Sequence, residues 1–238
     1  MAQFPRYAIY YAADRGSALD RFGGEHLGYD AWTGEDLPFP AAVEQAWPDW
    51  RELTRDPRKY GFHATLKAPM ALADGKAEPD LMAACARFAA TPRPIPLIIP
   101  VVRSISGFTA VVAAARSAEL DRLAADCVRD FDPFRAPLTA EDRARRKPEK
   151  LTPRQCDHLD RWGYPYVMEE FRFHMTLTGR LDAEQREAVR VMLADRFTAI
   201  GLSQLAIDRL ALFRQDDAAA RFEIIAHCPL APQDGAAS

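Results

Sequence analysis

Apolar residues recur along this chain with two periods, every second position in short runs and helically in longer ones, and the two patterns follow each other in an order that occurs twice. Tyr7-Ala-Ile-Tyr-Tyr11 predicts a strand, and Ser17 ahead of Ala18-Leu-Asp-Arg-Phe22 predicts a capped helix. After an extended stretch around position 63, a helical pattern opens at Glu78-Pro79-Asp80 and closes before the breaker Thr91-Pro-Arg-Pro94. Two strand-like runs follow, Ile95 to Val102 and Phe108 to Ala113, joined by Ser104-Ile-Ser-Gly107, which reads as a hairpin connection. From position 174 the order repeats: a helix from about Asp182 to Phe197, Gly201, then strands over Gln204 to Phe213 and Arg221 to Ala226. Helical pattern also runs from Ala118 to about Asp130, and Thr139 with Asp142 opens a short helix that Pro148 stops.

The repeat carries a short signature. His63-Ala-Thr-Leu66 and His174-Met-Thr-Leu177 lie 111 residues apart, and the same offset carries position 95, the start of the first hairpin, to 206, inside the second. In an extended segment residues i and i+2 share a face, so each histidine projects with its threonine while Ala64 and Leu66, or Met175 and Leu177, face the other way. The pattern predicts an α+β fold, one compact bilobal unit over 1–238 with two antiparallel sheets flanked by helices around a central cleft. Lobe 1 spans about 7–116, a helical and basic connection about 117–165, and lobe 2 about 166–230; no Gly/Ser linker separates them.

Two matched histidines suit general acid–base chemistry, since an imidazole with an unperturbed pKa of about 6.5 serves either role near neutrality. Two hydroxyls beside them suit a phosphoryl group. Lys67 follows Thr65 by two and Arg172 precedes His174 by two, which places both cations on the histidine face of a regular strand. Tyr7 and Tyr60 are candidates to bind a sugar, and Arg143 and Arg146, in the basic run up to Lys150, are candidates for a lid over an anionic substrate. Tyr164 is a sugar-binding candidate of the same kind, and Arg135 in Phe134-Arg-Ala-Pro-Leu138 is a candidate to reach the site. His26, His158 and His227 lack the motif and read as structural.

With 48% apolar residues the chain has material for a sizeable core, and its formal charge of −3 argues against the broad cationic surface that long nucleic acid requires. A small anionic substrate remains compatible. The four cysteines are scattered, so neither a zinc knuckle nor a disulfide framework is expected, and neither motif histidine has neighbours at metal-ligand spacing. With no apolar run near the ~18 residues of a membrane span and no basic-then-apolar leader, the reading is a cytoplasmic protein without membrane association. Oligomeric state is not readable.

Paired His-x-Thr-hydrophobe motifs in duplicated α+β lobes resemble the two-histidine (2H) phosphoesterase superfamily. Tyr60-Gly-Phe-His63-Ala-Thr-Leu-Lys67, Phe131-Asp-Pro-Phe-Arg135-Ala-Pro-Leu138, Trp162-Gly-Tyr-Pro-Tyr166 and Phe171-Arg-Phe-His174 look like its branch of phosphonate-metabolism-associated proteins, found among genes for carbon–phosphorus lyase. The resemblance spans roughly Tyr7 to Leu230. It implies a metal-independent cyclic phosphodiesterase without a cofactor, His63 and His174 as catalytic pair, and Thr65 and Thr176 as donors to the phosphate. It also implies a small sugar phosphate as substrate, specifically 5-phosphoribosyl 1,2-cyclic phosphate. The alternatives are an RNA or nucleotide 2′,3′-cyclic phosphodiesterase, which calls for a basic, aromatic groove, and a non-catalytic protein that binds a phosphorylated ligand.

Overall fold

The computed structural model describes residues 3–233; the ends of the unit expected over 1–238 lie outside the described residues. In chain order the strands are β1 (Arg6–Tyr11), β2 (Tyr29–Asp30), β3 (Glu35–Asp36), β4 (Ala64–Ala71), β5 (Leu97–Ile98), β6 (Pro100–Ile105), β7 (Phe108–Ala113), β8 (His174–Thr176), β9 (Leu205–Ala206), β10 (Arg209–Gln215) and β11 (Glu223–Pro229). The helices are α1 (Ala18–Leu27), the short α2 (Ala41–Ala46), α3 (Trp50–Leu53) and α4 (Arg55–Arg58), then α5 (Glu78–Ala90), α6 (Ala118–Phe131), α7 (Ala140–Arg145), α8 (Pro153–Trp162) and α9 (Ala183–Ala199).

The caps read from the sequence form. Ser17 and Thr139 each accept a hydrogen bond from the backbone amide three residues on, satisfying a donor that has no partner inside its helix, and Asp182, expected as the first residue of its helix, caps it in the same way. Helix α8 was not expected, although its signal is present: Thr152 and Gln155 make a reciprocal capping box with Pro153 at the first helical position, and Gly163 ends the helix in the left-handed conformation.

The fold is α+β with antiparallel strands, as expected, and the two expected sheets are the two halves of one. Seven strands run in the order β11-β10-β1-β4-β8-β7-β6. The halves join through a single pair, Ala64 opposite Met175. They are interleaved in sequence. The β6–β7 hairpin, which follows the His63 motif along the chain, pairs with β8 of the His174 motif, while β10–β11, which follows His174, pairs with β1 beside β4. A continuous stretch such as 7–116 or 166–230 therefore supplies strands to both halves. The expected strand over Gln204 to Phe213 is divided because it changes partners: β9 pairs with β5, and β10 joins the large sheet.

One face of the sheet packs on helices. Tyr7, Ile9, Tyr11, Leu66, Val111, Met175 and Leu212 form one cluster with Leu81 and Phe88 of α5, Leu123 and Cys127 of α6, and Val189 and Leu193 of α9. Each fully buried side chain of this size contributes about 1.5–3 kcal/mol relative to exposure. On the opposite face Ala8, Tyr10, Ala211 and Phe213 pack with Tyr29 and Phe222 in a smaller aromatic cluster. Both histidine motifs lie at the seam between the halves.

Candidate active site

His63 immediately precedes β4 and His174 opens β8, so the Ala64–Met175 pair sets the two motifs side by side at the centre of the sheet. Ala64, Leu66, Met175 and Leu177 turn into the helix-covered core, which forces their neighbours His63, Thr65, His174 and Thr176 to the other face. Burial of the apolar partners thus fixes the direction of the polar ones.

Both imidazoles are oriented alike. The Nδ1 atoms lie 2.9 Å from the carbonyl oxygen of Gly61 for His63 and 2.7 Å from that of Arg172 for His174. In each case the carbonyl is two residues upstream, and a carbonyl only accepts, so Nδ1 carries the proton and Nε2 is left with its lone pair in the neutral ring. The Thr65 hydroxyl lies 3.3 Å from His63 Nε2. Gly61, with φ +72°, adopts the left-handed backbone that presents its carbonyl to the ring.

His63 stacks on Tyr10 with centroids 3.8 Å apart and planes 22° from parallel, with Phe213 at 6.0 Å and Tyr60 at 6.1 Å. This surface withholds water, and burial pulls the His63 pKa down to about 4 against the hydrogen bond to Gly61, with the charge on His174 lowering it further. Burial also lowers the pKa of His174.

A cleft of about 470 Å³ opens at the seam. Thr65, Leu66 and Ala68 form one side, Arg172, His174 and Arg180 another, and Phe108, Tyr164 and Tyr166 supply aromatic walls. Neither Arg172 nor Arg180 has a carboxylate partner among the described residues, and both are exposed. Arg172 thus lines the cleft beside His174.

Lys67 does not. The β1–β4 register matches Tyr10 to Thr65 but Ile9 to Lys67, so three residues of β4 oppose two of β1, a bulge that turns Lys67 onto the helix-packed face. There it is 2% exposed, with Nζ 2.6 Å from Asp132 Oδ1 and 3.1 Å from the Val128 carbonyl of α6. The i, i+2 rule assumes a regular pleat, and the bulge breaks it. Tyr7 also lies outside: it is on the core face of β1, 3% exposed, and its hydroxyl donates to Glu78 Oε2 at 3.0 Å.

The other candidates divide. Tyr60 is half-buried, stacked on Phe222 at 5.3 Å and tilted toward His63. Arg146 lies over the Tyr164 ring at 5.0 Å, next to the cleft. Arg143 pairs with Asp160 at 2.6 Å, tying α7 to α8 on an exposed surface, and Arg135 is held by Asp132 at 2.8 Å. Sequence reasoning did not single out Tyr10, the floor beneath His63, because its place was in a strand core; nor Arg180, which follows the second motif across a turn.

Among the described residues no three His, Cys, Asp or Glu side chains are grouped as a metal ion would require, and no helix is long and apolar enough to cross a membrane.

Residues 65–223 match the family described as "Protein of unknown function (DUF1045)". The chain belongs to the DUF1045 family. The matched span holds Thr65, His174 and Thr176 and begins two residues after His63. This DUF1045 chain is 36% identical over 243 residues to "Ribose 1,5-bisphosphate phosphokinase PhnN" of Janthinobacterium sp. (strain Marseille), covering 98% of the chain and 52% of that protein. It is 30% identical over 219 residues to the protein of the same name from Laribacter hongkongensis (strain HLHK9), covering 92% and 50%. The chain thus spans about half the length of these relatives. Among solved structures, the conserved protein of unknown function ATU0111 from Agrobacterium tumefaciens str. C58 superposes with a TM-score of 0.44 at 13% identity, over 94% of this chain and 86% of that one. E. coli LigT complexed with 3′-AMP gives 0.39 at 11% identity, over 96% and 99%.

Proposed function

We propose that this DUF1045 chain is a phosphodiesterase that opens a cyclic phosphate ester on a small sugar phosphate, using His63 and His174 as base and acid. The observation that carries the reading is the pairing of the two motifs across Ala64 and Met175, with both Nδ1 atoms engaged by backbone carbonyls. His174 and Thr65 line the cleft, and His63 sits behind Thr65 with its Nε2 3.3 Å from that hydroxyl, an arrangement suited to moving one proton on and one proton off a phosphorus centre.

We assign His63 as the base and His174 as the acid. His63, neutral above a pKa of about 4, takes the proton of the attacking water at Nε2 as the water oxygen bonds to phosphorus. His174, protonated at Nε2 for this step, gives that proton to the ring oxygen as the phosphorus–oxygen bond breaks. Thr65 and Thr176 donate to the non-bridging oxygens as charge builds there.

The substrate we favour is 5-phosphoribosyl 1,2-cyclic phosphate. Water enters at phosphorus, the bond to the ribose 2-oxygen breaks, and ribose 1,5-bisphosphate leaves. The names of the two relatives support this choice, because a ribose 1,5-bisphosphate phosphokinase takes that product as its substrate. The chain itself contains no G-x-x-x-x-G-K-[ST] sequence, so that phosphate-cradling loop of many kinases is not in this segment. A nucleoside 2′,3′-cyclic phosphate is the second reading, favoured by Phe108, Tyr164 and Tyr166 in the cleft walls.

Phosphorus NMR on the purified protein tests both, with the ribosyl ester and a nucleoside cyclic ester in parallel, with chelator, and with His63→Ala and His174→Ala. The reading expects loss of the strained-ring signal of the ribosyl ester, insensitive to chelator, and a rate reduced by about 10²–10⁴ in each variant. Turnover of the nucleotide alone supports the second reading. Silence on both overturns the enzyme reading and favours a protein that only binds a phosphorylated ligand.

A further inference from the structure

Next to the histidine cleft is a second concavity of about 300 Å³, lined by Arg6, Tyr60, Arg135, Arg145, Arg146 and other residues that include one acid, Asp142. Two of its four arginines are neutralised, Arg135 by Asp132 and Arg145 by Asp142. Arg6 and Arg146 have no carboxylate partner among the described residues. Arg6 is instead held by the neutral side chain of Gln215, whose Oε1 accepts from Nε at 2.9 Å, and its guanidinium lies 5.5 Å over the Phe222 ring. These contacts orient a cation without cancelling it.

The concavity connects to the histidine centre through aromatic contacts. Arg6 and Tyr60 both pack on Phe222, and Tyr60 is 6.1 Å from the His63 ring. Arg6 also shares the histidine face of β1 with Tyr10, because residues 6, 8 and 10 alternate with the core-facing Tyr7 and Ile9. From the other wall, Arg146 covers Tyr164, which lines the histidine cleft. Burial lowers the pKa of Arg6, and the nearby charges of Arg145 and Arg146 lower it further. The cluster is thus one of like charges at close quarters, a repulsion that an incoming anion relieves.

We propose that this concavity is a subsite for a second phosphate, in which Arg6 and Arg146 grip from opposite walls a terminal phosphate monoester on the molecule whose ester bond lies between the histidines. The proposal rests on the phosphodiesterase reading and deepens it, restricting the substrate to sugar esters with phosphate at both ends. Guanidinium forks match the oxygens of a phosphate monoester, and Tyr60, which lines this concavity and is tilted toward His63, offers its ring as a wall for the sugar between them.

Two substrates differing only in the terminal phosphate provide the test: ribosyl 1,2-cyclic phosphate with and without the 5-phosphate. Arg6→Gln and Arg146→Gln should each raise KM for the phosphorylated ester about ten- to a hundredfold, with kcat retained and kinetics on the other ester unchanged. An equal effect on both esters, or no effect on either, overturns the subsite. Arg146, at the end of a short surface helix, provides a variant whose loss of fold is not at issue. Calorimetry with ribose 5-phosphate, which has the monoester and no ring ester, separates the two claims. Binding by the parent chain that weakens in Arg6→Gln and Arg146→Gln upholds the subsite even if neither cyclic ester is hydrolysed. Undiminished binding in both variants refutes it even if hydrolysis proceeds.

Discussion

Replacing Lys67 tests whether the β4 bulge removes this residue from the chemistry. Its ammonium, 2% exposed, is satisfied by Asp132 at 2.6 Å and the Val128 carbonyl at 3.1 Å, whereas the Asp132 side chain is 22% exposed and also receives Arg135 through Nε at 2.8 Å and Nη2 at 3.2 Å. The pair is therefore lopsided. Asp132→Ala leaves a buried cation with one carbonyl, and removing one partner of a buried pair costs about 3–5 kcal/mol. Lys67→Met removes the cation and refills its volume, leaving a carboxylate that keeps Arg135 and some solvent, so about 1 kcal/mol is expected. The double variant should be more stable than Asp132→Ala alone, because the orphaned charge is gone. Urea unfolding followed by fluorescence of the four tryptophans gives these differences, and turnover of the cyclic ester is measured on the same samples. Folded Lys67→Met should turn over normally. A folded Lys67→Met without activity, or one destabilised as much as Asp132→Ala, would refute the placement.

His26, 2% exposed, has its pKa lowered to about 4 by burial, with the Arg196 charge adding to this. The unfolded chain then binds the extra proton from about pH 6.5 downward, so stability is complete above 6.5 and falls by about 3 kcal/mol from this group as pH drops to 4; equal urea midpoints at pH 7 and 4.5 would contradict it. Gly23→Ala places a Cβ 1.9 Å from Cδ1 of Phe62, the residue before His63, so a loss of about 1–3 kcal/mol and slowed turnover are expected, and wild-type unfolding and rates would argue against that packing. If His174 is the acid, an ester with a nitrophenol leaving group, which departs without a proton, should restore activity to His174→Ala but not to His63→Ala; the opposite pattern would reverse the roles.

The motifs, two of the caps and most element boundaries were legible because they depend on neighbours in sequence: Ser17 and Thr139 cap through amides three residues away, and the apolar partners of His63 and His174 fix their face by alternation. What was not legible depends on residues brought together by pairing. The bulge that turns Lys67 away exists because β4 must match β1, and nothing within Ala64–Ala71 announces the extra residue. Nor does the order of the two repeats reveal that each hairpin pairs with the other repeat's strand. That exchange is what makes the site. Since β10 and β11 return to flank β1, Phe213 and Phe222 come under His63 and Tyr60 and supply the dry floor that lowers the His63 pKa. The β6–β7 hairpin, carried across to β8, brings Phe108 within 5.8 Å of His174. A duplication whose hairpins stayed with their own motifs would give each histidine a floor built from its own repeat. With the exchange, each histidine depends on residues that follow the other, so neither half of the sheet completes its environment alone.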